Sequence, residues 1–322
     1  MKFKNAVVTK EILPPLFWER LRMIIPESFF PKVKESFCCQ REYLSVRINT
    51  LKSNPQFIKE LLHDSQIEFK EIPWYSSALL ISCRDKIKLE TKKIFEQGFL
   101  YQQDLASMIP PLILDPQPSE CILDMCAAPG SKMSQMAQQM NTKGEIICLE
   151  SVKDRFYKMK MISRRLGVKN AFFKLMDARK FKSEGKSFDK ILVDAPCSCE
   201  GRFHIKDKKT YSFWSLKKIK EMSRKQKGLL RNACRLVKKD GMIIYSTCTF
   251  APEENEAVVD WVLRKHPNRI KVLPLDFPFV KTFPALNQWG KQSFDHQIQN
   301  CLRILPDEGV EGFFIAKLLR VA

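Results

Sequence analysis

The sequence predicts an α/β protein built on a mostly parallel sheet, with a small α+β module in front of it. From about Gly98 onward, short apolar runs alternate with segments of helical spacing. This alternation is typical of a doubly wound sheet with helices on both faces. The last two strand-like segments flank Pro306-Asp307-Glu308-Gly309, and turn residues between such segments predict an antiparallel hairpin at the end of the chain.

The N-terminal module is predicted over residues 1–95, and its pattern resembles RNA-recognition modules of the α+β class. Its elements follow the order helix, strand, helix, strand, strand, and the spacing of apolar residues defines each one. We expect these elements at residues 13–25, 44–49, 55–63, 67–72 and 78–82.

The larger unit is predicted over residues 96–322. Five strand candidates contain apolar runs, which suit strands buried on both faces of a parallel sheet; they lie at residues 121–124, 145–150, 172–175, 190–193 and 242–245. Four helices are expected at residues 132–141, 151–166, 216–236 and 252–265. With the terminal hairpin, this is the outline of a Rossmann-like class I methyltransferase with a mostly parallel, seven-stranded sheet.

The composition indicates a cytoplasmic protein with a polyanionic partner. The formal net charge is +19, which favours nucleic acid as that partner. Eleven cysteines, an odd number, are scattered along the chain, as is typical of a reducing compartment rather than of a disulfide framework. The sequence shows no recognisable signal peptide and no apolar run long enough to span a membrane. We expect a monomer.

A strongly basic segment with interleaved aromatic residues runs from Arg202 to Asp240. It contains fourteen Lys or Arg against three Asp or Glu. Its rings are Phe203, Tyr211, Phe213 and Trp214. Cations that bind phosphates and rings that stack on unpaired bases are typical of a surface for single-stranded or looped RNA.

A candidate ligand-binding turn follows the first parallel strand, in Leu123-Asp124-Met125-Cys126-Ala127-Ala128-Pro129-Gly130-Ser131-Lys132. Small residues let a ligand approach the backbone closely, and the start of the next helix offers free N–H groups. The turn has neither the G-x-G-x-x-G pattern of dinucleotide-binding enzymes nor the phosphate loop of nucleoside triphosphatases. A tight turn without a ligand is the alternative explanation.

Three acids stand at the ends of successive strand candidates: Glu150, Asp177 and Asp194. Ligands of open α/β sheets bind in the crevice beyond the carboxyl ends of the strands. An acid at the position of Glu150 can accept hydrogen bonds from the ribose hydroxyls of a nucleoside cofactor.

Two cysteines follow strands that are predicted to be neighbours: Cys197 and Cys248. Such strands would bring the two thiols together across the crevice. Cys199 forms a C-x-C pair with Cys197, but the four histidines are far apart in sequence and no zinc-finger spacing is present. We therefore predict no metal site. A helix starting near Pro252 would favour a thiolate at Cys248, whereas the acids in its first turn would oppose one.

These motifs closely resemble those of the Nop2/Sun family of RNA (cytosine-5) methyltransferases. The most specific matches are Asp194-Ala195-Pro196-Cys197-Ser198 and Tyr245-Ser246-Thr247-Cys248-Thr249. Further matches lie at residues 45–52, 98–107, 124–132, 252–256 and 312–316. The resemblance extends over about residues 12–320, and Trp74 and Cys199-Glu200-Gly201 look most like the bacterial small-subunit rRNA enzymes.

The resemblance implies S-adenosylmethionine as the cofactor and RNA as the partner, with small-subunit rRNA preferred to tRNA. The residues that it assigns to the cofactor are Cys126, Ala127, Ala128, Pro129, Gly130, Ser131, Lys132, Glu150, Arg155, Asp177 and Asp194. The residues that it assigns to catalysis are Cys248, Cys197, Asp194 and Lys132.

The resemblance also implies a covalent mechanism. Cytosine C5 is a poor nucleophile, and addition of the Cys248 thiolate at C6 makes an enamine whose C5 can accept a methyl group. Asp194, paired with Lys132, would protonate or hydrogen-bond N3 as the thiolate adds. Cys197 would assist the loss of the C5 proton and the release of Cys248. The target base must also leave its stack.

Three positions depart from the family pattern. Cys199 replaces a usual glycine and could restrict the loop of Cys197, Gly130-Ser131-Lys132-Met133 replaces Gly-Gly-Lys-Thr, and Asp307 replaces a frequent histidine. Two other functions stay open: Cys197 as the nucleophile, as in DNA cytosine methyltransferases, and a non-catalytic RNA-binding factor for ribosome assembly. An amino-group methyltransferase is disfavoured, because such enzymes typically use Asn-Pro-Pro-Tyr-like motifs.

Overall fold

The computed structural model describes residues 13–39, 41–85 and 93–322. Its helices are α1 (Pro15–Ile24), α2 (Phe30–Ser36), α3 (Pro55–Asp64), α4 (Leu105–Leu114), α5 (Ser131–Gln139), α6 (Lys153–Leu166), α7 (Leu216–Leu236) and α8 (Glu256–Lys265). Its strands are β1 (Tyr43–Ile48), β2 (Phe69–Glu71), β3 (Ala78–Ser82), β4 (Leu100–Gln102), β5 (Cys121–Asp124), β6 (Glu145–Glu150), β7 (Ala171–Leu175), β8 (Phe188–Asp194), β9 (Val237–Thr247), β10 (Ile270–Leu273), β11 (Thr282–Pro284), β12 (Gln288–Trp289), β13 (Gln292–Ser293), β14 (Leu302–Ile304) and β15 (Phe313–Arg320).

The small sheet is antiparallel, with the strand order β2-β3-β1-β4. One amphipathic helix, α3, covers it: Ile58 and Leu62 pack in one cluster with Val46 of β1. Asn54 caps this helix, because its side chain accepts a hydrogen bond from the N–H of Phe57, which satisfies one of the free donors of the first turn. The predicted order of helix and strands is therefore present.

The predicted boundary at residue 95 does not coincide with the edge of the small sheet. β4 lies beyond that boundary and pairs with β1, with Leu100 opposite Ile48. Residues 1–12, 40 and 86–92 of the predicted module lie outside the described residues. The division into two domains stays a prediction.

The large sheet has the order β11-β14-β15-β9-β8-β5-β6-β7, and β10 pairs with β15. β7, β6, β5, β8 and β9 run parallel, while β14 and β15 form the predicted hairpin antiparallel to β9. These seven strands match the prediction, and the short β10 and β11 bring the described sheet to nine. The predicted Rossmann-like α/β fold is confirmed.

Helices cover both faces of the large sheet, which explains why its central strand does not alternate. Ile191 and Val193 of β8 belong to a core cluster with Leu230 of α7 and Val258 of α8. Leu192, between them, points to the opposite cluster, which includes residues of α4 and α5. All three strand residues are fully buried, as expected for a strand of a parallel sheet.

Three helices differ from the sequence prediction. The short helix α2 was not predicted. α4 was not predicted, because Pro110 and Pro111 lie inside it and proline usually breaks a helix. α8 begins at Glu256 and not near Pro252. Its N-terminus therefore does not follow Cys248 as closely as predicted. Among the helices of the described part of the chain, none combines the length and the apolar character needed to cross a bilayer.

Candidate active site

A cleft of ≈ 1920 Å³ opens over the carboxyl ends of the parallel strands. It is lined by every predicted catalytic residue and by all predicted cofactor residues except Ala127 and Gly130. Ala127 and Gly130 belong to the backbone of the turn but do not line the cleft. The N–H of Ala127 donates to the carbonyl of Leu149, and Gly130 precedes α5 with a φ of +110°, a conformation that side-chain-bearing residues rarely adopt.

Glu150 lies buried at the end of β6. One of its carboxylate oxygens accepts two backbone hydrogen bonds, and the other is available to a ligand. Its Oε1 accepts the N–H groups of Ser151 and Val152, each at 2.8 Å. Its Oε2 lies 3.6 Å from Nη1 of Arg155, whose Nη2 donates to the carbonyl of Ala128 at 2.7 Å. A fixed carboxylate beside a turn of small residues fits the ribose of a nucleoside cofactor.

Asp177 also lines the cleft, but its carboxylate is engaged by its own neighbour. It caps the short 3₁₀ helix Ala178–Lys180 and pairs with Arg179 at 2.5 Å. The hydrogen bonds from Arg179 lower the pKa of Asp177 although partial burial opposes them. Of the predicted cofactor residues, this acid has the least free acceptor capacity.

Asp124 ends β5 and was not predicted as a site residue. Its Oδ1 accepts the N–H of Cys126 at 3.3 Å. Burial, reinforced by the charge of Asp194, raises the pKa of Asp124 to about 7. The sequence did contain a signal for Asp124 as a site residue. Asp124 follows an apolar strand candidate, as do the three acids that were predicted.

Lys132 and Asp194 form an ion pair at the centre of the cleft. Nζ of Lys132 lies 2.7 Å from Oδ2 of Asp194 and also 2.7 Å from Oγ of Ser107. Oδ1 of Asp194 accepts the hydroxyl of Ser246 at 2.8 Å. Ser107 and Ser246 are positioning residues that sequence reasoning missed, although both lie inside motifs that it had identified.

The fold brings three thiols together above β8 and β9, and we call them the thiol cluster: Cys197, Cys199 and Cys248. Sγ of Cys197 lies 3.3 Å from Sγ of Cys248 and 3.8 Å from Sγ of Cys199. The expected proximity of Cys197 and Cys248 is therefore found. Cys199 joins them because its backbone is left-handed, with φ +59°.

Shared hydrogen bonds link the ionisation of the thiol cluster. Hydrogen bonds from Cys197 and from Cys248, with the charge of Arg202, lower the pKa of Cys199. The hydrogen bond with Cys199 is the main cause that raises the pKa of Cys197. For Cys248, the hydrogen bond from Cys197 lowers the pKa, but the bond with Cys199, burial and charge outweigh it and the pKa is raised. The cluster thus loses one proton readily and resists losing a second.

Two buried glutamates fix the loops that carry the thiol cluster. Glu254 accepts the N–H of Ser198 at 3.1 Å and the side-chain amide of Gln226 at 2.8 Å; burial raises its pKa to about 8. Glu200 accepts the hydroxyl of Thr249 and the N–H of Phe250. Each glutamate joins one cysteine-bearing segment to the other, and neither was predicted.

The basic segment presents a different surface from the one predicted. Phe203 is buried in an aromatic cluster around α1, and the indole N–H of Trp214 donates to Glu200, so these rings do not serve as stacking platforms. Tyr211 packs against Phe203. Phe213, by contrast, is 82% exposed, and it lies next to the basic helix α7.

Known proteins resemble this chain over most of its length. A family model described as 16S rRNA methyltransferase RsmB/F matches residues 111–319. The tRNA (cytosine(49)-C(5))-methyltransferase of Pyrococcus abyssi is 38% identical over 85% of this chain and 87% of its own length. The ribosomal RNA small subunit methyltransferase F of Enterobacter sp. is 31% identical over 93% of this chain, which spans 64% of that bacterial protein.

A solved structure agrees with these relatives. NSun6 from Pyrococcus horikoshii, determined with SFG, has a TM-score of 0.82 and 25% identity to this chain. The match covers 97% of this chain and 99% of that one. The likeness therefore includes the small sheet as well as the large one.

Proposed function

Since this chain belongs to the RsmB/F family of methyltransferases, we propose that it methylates C5 of a cytosine in RNA through a covalent bond from Cys248 to C6. One observation carries the proposal: the Cys197 and Cys248 sulfurs lie 3.3 Å apart. The Lys132–Asp194 pair lines the same cleft. Two thiols beside a proton-donating pair are what attack and release at one base require.

The first step is attack by Cys248. A single proton lost from the thiol cluster supplies the thiolate, because neighbouring S–H groups can pass the charge to Cys248 by proton exchange. As the new S–C6 bond forms, the π electrons of the C5–C6 double bond shift to C4–C5, and those of the C4–N3 double bond shift to N3. The ring nitrogen N3 takes a proton from the pair formed by Lys132 and Asp194, and C5 becomes nucleophilic.

S-adenosylmethionine, when bound, supplies the activated methyl group that C5 accepts. We propose that Glu150 holds its ribose and that the small side chain of Ala128 leaves room for it. Arg155 orders this part of the cleft, because it links Glu150 to the turn before α5. Asp194 lies between this region and the thiol cluster.

Release is the task that we assign to Cys197. After methylation C5 still carries its hydrogen, and the base is still bound to Cys248. Cys197, which loses its own proton to solvent once Cys248 is bound to C6, takes the C5 proton as a thiolate. The C5–C6 double bond re-forms, the S–C6 bond breaks to return Cys248 as a thiolate, and N3 returns its proton to the pair formed by Lys132 and Asp194. Deprotonated Cys197 is a strong base, because its pKa is raised, and its sulfur adjoins that of Cys248.

An adduct experiment tests the assignment of the two cysteines. Cys197→Ala and Cys248→Ala are each incubated with RNA and cofactor and run on a denaturing gel. We expect an RNA adduct with Cys197→Ala, because attack proceeds and release fails, and none with Cys248→Ala. Cys39→Ala, at an exposed cysteine, is the control and should behave as wild type. Adducts in the reverse pattern would assign attack to Cys197 instead.

For the RNA class, we propose small-subunit rRNA, since the family model is described for 16S rRNA. A tRNA substrate is the second candidate, because the Pyrococcus abyssi relative named for tRNA is 38% identical to this chain. Bisulfite sequencing of RNA from a deletion strain separates them: one rRNA cytosine should lose its methyl group, whereas loss in tRNA alone would favour the second. A monomer in the cytoplasm stays a prediction.

A further inference from the structure

The thiol cluster contains one thiol more than the proposed reaction uses. Cys248 and Cys197 carry out attack and release, whereas Cys199 forms no bond to the base or to its C5 proton in either step. All three sulfur atoms nevertheless lie within 4.8 Å of one another, and all three residues line the cleft. A third sulfur at this distance has a chemical consequence of its own.

The spacing of the sulfurs suits a thiophilic metal ion. Zinc binds thiolate sulfur at about 2.3 Å, and tetrahedral angles then place the sulfurs about 3.8 Å apart. The two measured separations, 3.3 and 3.8 Å, approach that value. Small changes in side-chain torsion are enough to fit an ion, because the loop backbone is fixed by Glu254 and Gln226.

The charges around the cluster also suit such an ion. A divalent ion with three thiolates carries one net negative charge, and the positively charged Arg202 lines the same cleft as the three cysteines. Soft thiolate ligands select ions such as Zn²⁺ over Mg²⁺ or Ca²⁺. Three protein ligands leave a fourth position open toward the cleft, as in sites that bind a further ligand.

We propose that Cys197, Cys199 and Cys248 bind one thiophilic divalent ion, Zn²⁺ or its analogue Cd²⁺, and that this ion inhibits the enzyme reversibly. The cluster already holds one thiolate, so the two remaining S–H bonds break, their protons go to solvent, and three metal–sulfur bonds form. Cys248 is then unable to attack a base. The ion is an inhibitor and not a resident cofactor. Ligand spacing along the chain missed the site because Cys248 lies 51 residues from Cys197.

Cadmium titration of the reduced protein tests this directly. A phosphine reductant keeps the thiols from forming disulfides, and the ultraviolet charge-transfer band of cadmium–thiolate bonds reports binding without any RNA. We expect one tight site per chain. Cys199→Gly should weaken it at least tenfold, since one of three ligands is lost, and glycine accepts the φ of +59° at this position. Cys39→Ser is the matched control and should bind as wild type.

Equal affinity in Cys199→Gly and wild type, or the absence of a charge-transfer band in wild type, would overturn the proposal. Cys199→Ser provides a second test of the same ligand should the glycine variant fold poorly. Methyl transfer is measured in parallel: Cd²⁺ should inhibit the wild type, and a chelator should restore it. Because the absorbance requires no substrate, its outcome is independent of the proposed RNA chemistry.

Discussion

Lys132 is the residue whose replacement best separates chemistry from cofactor binding. Its ammonium contacts Asp194 and Ser107, and in the proposed mechanism it forms with Asp194 the pair that donates a proton to N3. We expect Lys132→Met to lower kcat by about 10²–10⁴, the usual contribution of a general acid, with a smaller change in the KM for cofactor. Methyl incorporation in the steady state measures both.

The matched control for Lys132 is Lys143→Met, at an exposed lysine a few residues beyond α5. It should leave kcat and KM unchanged. A Lys132→Met variant with wild-type kcat would remove this side chain from the proton-transfer step.

Asp124 predicts a specific dependence of stability on pH. Folding raises its pKa from 3.8 to about 7, so the folded state holds the proton more tightly than the unfolded state does. Its contribution to the free energy of unfolding is full below pH 4 and is lost as pH rises through 7. Asp124→Asn has no such proton. Relative to that variant, the wild type should lose about 1.4 kcal/mol per pH unit in this window.

Urea unfolding at a series of pH values measures the effect of Asp124. Asp240→Asn is the control, because this exposed aspartate has a left-handed backbone that asparagine tolerates. Its difference from wild type at each pH provides the background against which the Asp124 effect is judged. A constant difference for Asp124→Asn as well would show that this carboxyl is ionised throughout.

At the scale of single residues, the sequence predicted the side chains to which the proposed mechanism assigns a chemical step. Cys197, Cys248 and Asp194 could be found because each follows a strand signal within a specific motif. Ser107, Ser246 and Glu254 act through partners far away in the chain, at positions 132, 194 and 198. No local pattern shows such a partner, so only the folded arrangement reveals them.

At the scale of elements, a buried arginine joins the small sheet to α5. This helix follows the candidate ligand-binding turn, residues 123–132, which we call the cofactor turn. Arg47 of β1 is fully buried. Its Nε donates to Gln103 at 2.9 Å and its Nη2 to Ser134 of α5 at 2.7 Å, and it also contacts Gln138. Burial lowers the pKa of Arg47, because it disfavours the charged form. The hydrogen bonds to these neutral acceptors stabilise the guanidinium charge against that effect.

Arg47→Met should therefore affect two measurements at once. Each buried partner left without a hydrogen bond costs about 1–3 kcal/mol, and loosening of α5 should raise the KM for cofactor more than it lowers kcat. Urea unfolding and steady-state kinetics provide the two values. Arg84→Met, at an exposed arginine just after β3, should change neither. Loss of stability with an unchanged KM would mean that β1 does not position the cofactor turn.

The elements that the sequence predicted best are those whose secondary structure follows from the pattern of buried apolar residues. β3, β5, β6 and α7 were predicted with their observed bounds. The start of α8 was placed too early because buried polar contacts, and not helix propensity, set the conformation there. Asn255 donates to the carbonyl of Thr249 and accepts from the hydroxyl of Thr247, and these bonds hold the segment before α8 in turns.

At the scale of the whole molecule, charge and one ring should make separable contributions to RNA affinity. Phe213→Ala should weaken binding by about 1–3 kcal/mol, the value of one stacked base, and leave the salt dependence unchanged. Lys220→Ala, at an exposed lysine of α7, should instead reduce the slope of log K against log salt by about 0.7. Fluorescence anisotropy with labelled RNA across a salt series measures both effects.

Phe172→Ala is the control for Phe213, because Phe172 is 50% exposed on β7 and lies outside the basic segment from Arg202 to Asp240. It should leave RNA affinity unchanged. Binding that does not vary with salt would contradict a role for the net charge of +19.

The pairing of β4 with β1 limits how the N-terminal part of such a protein can be exchanged by recombination during evolution. A recombination event at residue 95 would separate two hydrogen-bonded strands and leave Arg47 facing foreign partners. A new N-terminal unit would have to arrive with β4, and its arginine would have to match Ser134 and Gln138. The small sheet and α5 are thus coupled through Arg47, and a recombinant with a new N-terminal unit should keep its stability only if that unit brings both β4 and a matching arginine.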